Sequence, residues 1–285
     1  MQNVLGFEKG TRQINWKNVA IVTTFHLAAI PVFFSFSWPN LVVLLVVNWI
    51  VGSLGVGLGW HRLLTHRSFK APKWLEYLLT ILGTMSIQDP PDKWVATHRM
   101  HHKYVDTDKD PHSARTGFWW PQIGWILWGN AQDHDAATMD RYVPDLMKDR
   151  GQVLISRFFY IPIIVSALFL LAIGGWPFVV WGVFARVVVG WHTTWFVNSL
   201  SHIYGRRPHE TGDLSTNNWF VAILTFGEGW HNNHHAFPTS ARHGLKWYQF
   251  DMNWITIRLF EKFGWAKQIK LPDLKPAAVE LKRAA

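Results

Sequence analysis

The chain has 15 histidines, and nine of them fall into short groups whose spacing suits metal binding. Consecutive residues of a helix are about 100° apart, so positions i, i+3 and i+4 share one face. Neutral imidazole is a common metal ligand. The pattern therefore predicts metal chemistry, and the candidate ligands, with one asparagine in the same pattern, are His61, His66, His98, His101, His102, Asn198, His202, His231, His234 and His235.

The groups differ in spacing, and each spacing predicts a different arrangement of the side chains. The group that begins at His98 and the group that begins at His231 each place three imidazoles on one helix face. Asn198 lies four residues before His202, so these two side chains also point the same way. His61 and His66 are five residues apart and diverge on an ideal helix. That spacing suits either one ligand for each of two metals or a helix that ends between them.

The number and type of candidate ligands favour two iron ions. Ten ligands exceed the needs of one ion, and two ions with about five each is the natural division. Structural zinc takes four ligands that usually include Cys, and the chain has no Cys. A ferritin-like site requires two Glu-x-x-His motifs, and only Glu228 with His231 provides one. Imidazole also suits iron, which leaves a coordination position open for oxygen.

Three acidic residues lie within a few positions of the histidine groups: Asp106, Asp110 and Glu228. Carboxylates commonly accept a hydrogen bond from the ring nitrogen that does not bind the metal. These residues are therefore either supports for the metal ligands or ordinary surface charges.

Two long uncharged blocks indicate the elements that must position these groups. Residues 18–61 contain no Asp, Glu, Lys or Arg, and residues 158–205 contain only Arg186. A membrane-spanning helix needs about 20 apolar residues, so each block can hold two helices. Pro and Gly indicate turns at 38–40 and 174–177. The sequence predicts an all-α integral membrane protein with four transmembrane helices in two hairpins, 18–37, 41–61, 156–173 and 178–202. A cytoplasmic helical cap, 62–155 and 203–285, would complete one domain, 1–285.

The basic residues predict the orientation of the chain. Of the 28 Lys and Arg, all but Arg186 lie outside the two uncharged blocks. Basic loops stay cytoplasmic, so both termini and residues 62–157 are expected on that side, where all the histidine groups would meet. The same rule accounts for the net charge of +9, and a basic surface that docks an acidic electron-transfer partner is a second account. The polar start predicts no cleavable signal peptide, and no nucleic-acid partner is expected.

Three glycines, Gly55, Gly57 and Gly59, alternate within the second predicted helix. No strand precedes them, so a nucleotide-binding loop is disfavoured. Small residues let membrane helices approach closely, and the run predicts tight packing against another helix.

The order of the groups, His-x4-His, His-x2-His-His, Asn-x3-His and His-x2-His-His, resembles the membrane fatty-acid desaturases of the stearoyl-CoA and cyanobacterial acyl-lipid Δ9 type. Their flanks agree, for example Gly59-Trp60-His61-Arg62 and Glu228-Gly229-Trp230-His231. The match covers roughly residues 18 to 260.

The resemblance implies nine histidine ligands to two Fe2+ ions, with Asn198 completing the shell of one iron through a water. It implies a reaction in which O2 is the co-substrate and an acyl chain gains a cis double bond, by default at Δ9. Trp94, Thr194 and Trp195 match family residues that line a bent acyl tunnel. The acyl chain would be a lipid, CoA or acyl-carrier-protein ester. Ferredoxin or a separate cytochrome b5 would supply the electrons, and membrane lipid would surround the protein.

Two other functions remain open. A related His-rich di-iron hydroxylase acting on a carotenoid, sphingolipid or alkane would insert oxygen instead of forming a double bond. A membrane metal transporter would carry ionisable residues along a path at mid-membrane. Only Arg186, His26 and His192 are available there, and they form no pattern. Arg186 is expected to reach the membrane surface or to be paired within the bundle.

Overall fold

The computed structural model describes residues 13–273, and within that range every regular element is helical. Isolated backbone bridges, such as that between Lys70 and Lys267, join loops without forming a strand. For the described part of the chain the predicted all-α class is confirmed.

The α-helices are numbered in chain order. They are α1 Trp16–Ala29, α2 Trp38–Asn48, α3 Lys73–Thr84, α4 Pro91–Tyr104, α5 Trp125–Leu127, α6 Ala136–Tyr142, α7 Pro144–Met147, α8 Arg150–Arg157, α9 Ile161–Val179, α10 Arg186–Asn198, α11 Leu200–Ile203, α12 Trp219–Leu224, α13 His231–Ala236 and α14 Met252–Lys262. Short 3-10 segments lie at Ile30–Phe34 and Ala114–Thr116, and segments with wider π-type turns lie at Trp49–Thr65, Trp120–Gly124 and Val180–Ala185.

Three continuous helical stretches are long and apolar enough to cross a membrane: Trp16–Phe34, Trp38–Thr65 and Ile161–Ile203. Their outer faces expose large apolar side chains; Phe33 is 83% and Phe34 86% exposed. Such faces are stable next to lipid and unfavourable in water. We call these stretches the first, second and third apolar helices.

The third apolar helix bends at Gly175, where φ is 68° and ψ is −165°. Its 43 residues would span roughly 65 Å if straight, about twice the thickness of the hydrocarbon core. Leu170 instead packs on Gly182, where a Cβ would lie 2.7 Å from Leu170 Cδ1. The bend falls within the predicted turn at 174–177. The division into four crossings stays a prediction.

The predicted turn at 38–40 is wrong in its position. Trp38 and Pro39 open α2, and Ser37 caps it by accepting a hydrogen bond from Asn40 N–H. Proline is compatible with the first turn of a helix, because that turn's N–H groups have no helical acceptor. The chain reverses before Ser37 instead, and the helix predicted at 41–61 extends from Trp38 to Thr65.

The glycine run packs the second apolar helix closely against α3. A Cβ on Gly55 would lie 2.4 Å from the backbone nitrogen of Gly83, and one on Gly59 would lie 2.9 Å from the carbonyl oxygen of Leu79. The predicted tight packing is confirmed. It fixes the end of the second apolar helix, which carries His61, relative to the helices that surround the site.

Candidate metal centre

Five of the predicted histidines, two buried and three half-buried, form one cluster, the five-histidine cluster, in which one ring nitrogen from each residue lies within 4.8 Å of the others. The Nε2 of His234 is 3.2 Å from that of His61 and 2.9 Å from that of His102. The residues come from the second apolar helix, α4 and α13, and they are His61, His66, His98, His102 and His234.

Wide helical turns bring His61 and His66 together. The last residues before His66 form π-type turns, and the N–H of His66 donates to the carbonyl of His61, five residues back, at 3.1 Å. The helix then ends at Thr65. The two ring centroids are 4.8 Å apart. Of the two interpretations of this spacing, a helix that ends between the residues is confirmed, and the binding of each residue to a different metal stays a prediction.

The remaining four histidines form a second group, the four-histidine cluster, with nitrogens again within 4.8 Å of one another. The Nε2 of His231 lies 3.0 Å from both His202 Nε2 and His235 Nε2. The fourth member, His101, comes from α4. α4 and α13 therefore contribute to both clusters, since each places adjacent histidines on neighbouring faces.

Four carboxylates face the other ring nitrogen of four histidines. Each Nδ1 lies close to its carboxylate oxygen, and the pairs are His61–Glu228 at 2.6 Å, His101–Asp110 at 3.0 Å, His202–Asp106 at 3.0 Å and His235–Asp213 at 2.9 Å. A carboxylate accepts the Nδ1 proton and so fixes the tautomer with a lone pair on Nε2.

These fixed tautomers make the clusters suitable for cations. His202 and His235 each donate a hydrogen bond from Nδ1–H to a carboxylate, and both Nε2 lone pairs face His231 Nε2 at 3.0 Å. Since His231 Nε2 can carry only one proton, at least one lone pair has no donor. In the other cluster, His66 Nε2 is buried without a hydrogen-bond partner among the described residues. Buried polar atoms are rarely left unpaired in proteins, and a metal ion would satisfy these nitrogens.

Burial also keeps most of these imidazoles neutral. Desolvation lowers the pKa well below its usual range, and neighbouring imidazoles mostly lower it further, for His66, His98, His102, His231, His234 and His235. Burial would also lower the pKa of His101, but the charge of Asp110, the hydrogen bond to it and the charges of Asp106 and Asp213 together outweigh burial and raise that pKa. A neutral imidazole is the form that binds a metal, so most of the ligand set is prepared without releasing protons.

A buried ionic network holds Glu228 in place. Arg62, with no exposed surface, donates to Glu228 Oε1 at 2.8 Å and to Asp251 Oδ1 at 2.9 Å. His243 Nδ1 lies 3.1 Å from Glu228 Oε2. Burial alone would raise the pKa of Glu228, but Arg62, His243 and His61 together outweigh it, and the pKa lies well below its usual range. The carboxylate is therefore ionised where it faces His61.

Two cavities meet beside the clusters. The outer cavity is lined by Trp195, Lys17 and Asp89; the inner cavity reaches Gly52 and Arg186 in the membrane-spanning part. Both are lined by Trp94, Thr194, Asn198 and His98. Gln88 joins two of these walls, because it donates to Thr194 Oγ1 at 3.1 Å and accepts from Trp94 Nε1 at 3.2 Å. Mostly apolar cavities with a few converging polar groups are typical of ligand sites.

The structure places every residue that the sequence singled out. Nine histidines lie in the two clusters, and Asp106, Asp110 and Glu228 face ligand rings. Asn198, Trp94 and Thr194 line both cavities, whereas Trp195 lines only the outer one. Whether these residues bind metal and substrate stays a prediction.

Sequence reasoning missed Asp213, Arg62 and Asp251, and it assigned no specific contact to His112 or His243. The His112 ring lies 4.4 Å from that of His101, centroid to centroid, at an interplanar angle of 33°, and its Nδ1 lies 3.7 Å from Asp110. Asp213 is 22 residues from its partner His235, and Asp251 is 189 residues from Arg62. Only the position of Arg62 next to His61 was visible in the sequence.

In the described part of the chain, helices apolar enough to span a membrane, histidine clusters that could hold metal ions and an adjoining apolar cavity are typical of a membrane metalloprotein. Residues 14–267 match the family model described as fatty acid desaturase. The chain belongs to the fatty acid desaturase family, and it is an oxidoreductase of that kind.

Similar proteins cover almost the full chain. The sn-1 stearoyl-lipid 9-desaturase of Anabaena variabilis is 48% identical over 265 residues, 92% of this chain and 96% of that protein. The sn-2 palmitoyl-lipid 9-desaturase of Nostoc sp. (strain 36) is 45% identical over 258 residues, 90% of each chain. The acyl-CoA C20 Delta5-desaturase of Anemone leveillei is 47% identical over 241 residues, 84% of this chain and 76% of that protein.

Proposed function

We propose that the two clusters each hold one iron ion and that the protein is an O2-dependent Δ9 desaturase of lipid-bound acyl chains. The single observation that carries the metal assignment is the set of Nε2 lone pairs that face one another at about 3 Å with their Nδ1 protons held by carboxylates. Five histidines would bind one ion. Four histidines, with Asn198 through a water, would bind the other.

The buried charges support two divalent ions. Around the clusters lie five buried carboxylates, Asp106, Asp110, Asp213, Glu228 and Asp251, and one buried guanidinium, Arg62, a net charge of −4. Two divalent cations would balance that charge. Because uncompensated buried charge is strongly unfavourable, a pair of divalent ions fits the site better than a single one.

Bound iron would supply the chemistry that, with O2, oxidises an unactivated methylene. The protein's own residues would prepare the reaction in two ways. Gln88 is hydrogen-bonded to Trp94 and to Thr194 where the two cavities meet, next to His98. An acyl chain that passes from the outer to the inner cavity would be held there against the clusters, and the apolar walls would exclude water from the reacting carbons.

Two observations support a lipid-bound substrate. Two relatives that align over at least 90% of this chain are named lipid 9-desaturases. Among the described residues that line the outer cavity, Lys17 is the single Lys or Arg, and Asp89 offsets it. Coenzyme A carries several phosphate charges that usually require clustered basic residues, so a glycerolipid fits this cavity better.

We also propose the orientation expected from the basic residues, with four crossings and the histidine clusters on the cytoplasmic side. The bend at Gly175 supports a second hairpin. Electrons would then reach the clusters from a separate cytoplasmic donor, a ferredoxin or a cytochrome b5, attracted to the basic surface.

Expression in a host without its own desaturase tests the activity. We expect cis-Δ9 chains in the membrane lipids. In isolated membranes, saturated chains presented as CoA or acyl-carrier-protein esters should react more slowly than lipid-bound saturated chains. His101→Ala and His234→Ala should remove the product while the protein remains membrane-inserted. A hydroxylated chain in place of an alkene would identify the hydroxylase alternative, and no modified lipid in any form would refute the proposal.

Metal analysis tests the centre independently. After anaerobic reconstitution with ferrous iron, the purified protein should hold about two irons per chain. Since zinc binds imidazole more tightly than ferrous iron, protein purified without this step is expected to contain zinc. One metal per chain or none after reconstitution contradicts the two-cluster assignment.

A further inference from the structure

The inner cavity continues into the membrane along one stripe of residues. On α10, Asn198, Thr194, Gly190 and Arg186 recur every four residues and all line the cavity. Twelve residues of helix separate Asn198 from Arg186, roughly 18 Å. The cavity therefore leads from the histidine clusters to a cationic side chain about midway along the third apolar helix.

Arg186 is not placed as a membrane cation usually is. It is 1% exposed, so the first of the two expectations, that it reaches the membrane surface, is wrong. Among the described residues it has no acidic partner within ion-pair distance; Nε donates to the carbonyl of Gly182 at 3.3 Å and Nη1 to the carbonyl of Met85 at 2.8 Å. A buried cation held only by neutral carbonyls is costly, and such residues in membranes usually have a functional role.

Two polar atoms on this part of the cavity wall have no partner. Arg186 Nη2 and Ser86 Oγ are both buried, and neither forms a hydrogen bond with a described residue. Both residues line the inner cavity. The guanidinium is held in place by its other two hydrogen bonds, so the free N–H groups have a fixed position from which to bind an oxygen atom.

We propose that Arg186 and Ser86 form a polar floor of the acyl cavity that recognises an oxygen at the far end of the chain and limits the length of chains that end in a methyl group. This rests on the proposed function, in which the acyl chain occupies the inner cavity. A water molecule satisfies the floor when the chain is short. A methyl terminus that reaches the floor displaces that water and offers no acceptor, whereas a terminal hydroxyl replaces it.

The test compares pairs of lipid-bound saturated chains of equal length, one ending in methyl and one in a terminal hydroxyl. At the longest methyl-ended chain that the wild type uses, we expect kcat/KM for the hydroxyl-ended chain to be higher. Arg186→Met should lower the ratio of kcat/KM for the hydroxyl-ended chain to kcat/KM for the methyl-ended chain about tenfold, as expected for the loss of one hydrogen bond to a charged donor. The same variant should desaturate longer methyl-ended chains. Ser86→Ala should change the ratio in the same direction by a smaller factor.

Val187→Ala is the matched control, because Val187 is equally buried on the same helix and does not line either cavity. The ratio of the two kcat/KM values should be the same in Val187→Ala as in the wild type. A wild-type ratio of one or less, or a ratio unchanged in Ser86→Ala and in folded Arg186→Met, overturns the polar floor. Should Arg186→Met fail to fold, the ratio of kcat/KM values in the wild type and in Ser86→Ala tests the polar floor instead.

Failure of the proposed function gives a different result. In that case the wild type desaturates neither chain of any pair. Calorimetric binding of the same pair of chains to the purified protein then measures the preference directly, and equal affinities for the two chains overturn the inference.

Discussion

The pairing of a carboxylate with a histidine is repeated four times around the clusters, and each pair crosses between different parts of the chain or spans a loop. The carboxylate fixes which nitrogen carries the proton and how the ring is oriented. It also raises the basicity of the nitrogen that faces the cluster. The strength of metal binding is therefore expected to depend on residues that do not themselves touch the metal.

Asp110→Asn tests this dependence. The amide keeps the shape and one acceptor oxygen but removes the charge that raises the pKa of His101. We expect affinity for ferrous iron to fall about 10- to 100-fold, with a parallel loss of desaturation. Anaerobic titration of the metal-free protein measures it. Asp108→Asn is the control, because Asp108 lies in the same loop and is exposed. Equal affinities in the two variants would show that Asp110 does not support the centre.

Arg62 connects the end of the second apolar helix to the segment before α13 and to the N-terminus of α14. It donates to Glu228 and to Asp251, whose Oδ1 also caps α14 by accepting from the N–H of Trp254 at 2.9 Å. Three elements therefore depend on one guanidinium with no exposed surface. Removing one member of a buried ionic network leaves the other charges uncompensated.

Arg62→Met should accordingly lower the free energy of unfolding by about 3–5 kcal/mol. Arg67→Met is the matched control. Arg67 is paired with Asp145, but its side chain is 55% exposed and Asp145 keeps Arg99 as a partner at 2.8 Å. The control should lose less than about 1 kcal/mol. Thermal unfolding in detergent compares the two, and similar losses would mean that the buried network adds no stability.

The contact between the second apolar helix and α3 depends on the absence of side chains. Gly55→Ala places a methyl group 2.4 Å from the backbone nitrogen of Gly83, which cannot move without shifting α3. We expect a loss of about 1–3 kcal/mol in stability from this overpacking. Gly190→Ala is the control, since its methyl group would meet nothing closer than Asn48 Oδ1 at 3.8 Å. Thermal unfolding of both variants should separate them; equal stability would mean that α3 can move aside.

The arrangement of the chain across the membrane can be tested by thiol labelling, because the protein has no Cys. Single cysteines at Lys109 and Trp247, both exposed, should react from the cytoplasmic side. Cysteines at Phe36 and Trp176, which are 60% and 59% exposed near the two chain reversals, should react from the opposite side. Labelling of intact and permeabilised cells with an impermeant maleimide distinguishes the sides. Lys109 and Trp176 on the same side would contradict four crossings.

Much of the fold was predictable from patterns in composition. The uncharged blocks gave the apolar helices, because the hydrocarbon core excludes charge over about 20 residues. The positions of the turns were less predictable. Proline interrupts a helix in its interior but is compatible with the first turn, and the sequence around Pro39 does not distinguish these two cases.

The histidine groups were predictable because the spacing of residues on a helix is local. His98, His101 and His102 share a face of α4 whatever the rest of the protein does. The sequence predicted two sites, but which histidine belongs to which cluster could not be predicted. His101 and His102 are adjacent in the chain yet belong to different clusters, and His66 joins His61 only because the intervening turns are wide.

The sequence alone was sufficient to establish which imidazoles are available, that they come from four separate segments, and that these segments lie next to apolar helices. The packing of the helices established the partners: Asp213 for His235, Arg62 and His243 for Glu228, and the isolation of Arg186 from any described carboxylate. The physical reason is the distance along the chain over which each effect acts. Helical periodicity and the cost of placing charge in lipid act on neighbouring residues, whereas a hydrogen bond between Arg62 and Asp251 requires elements 189 residues apart to pack in one register.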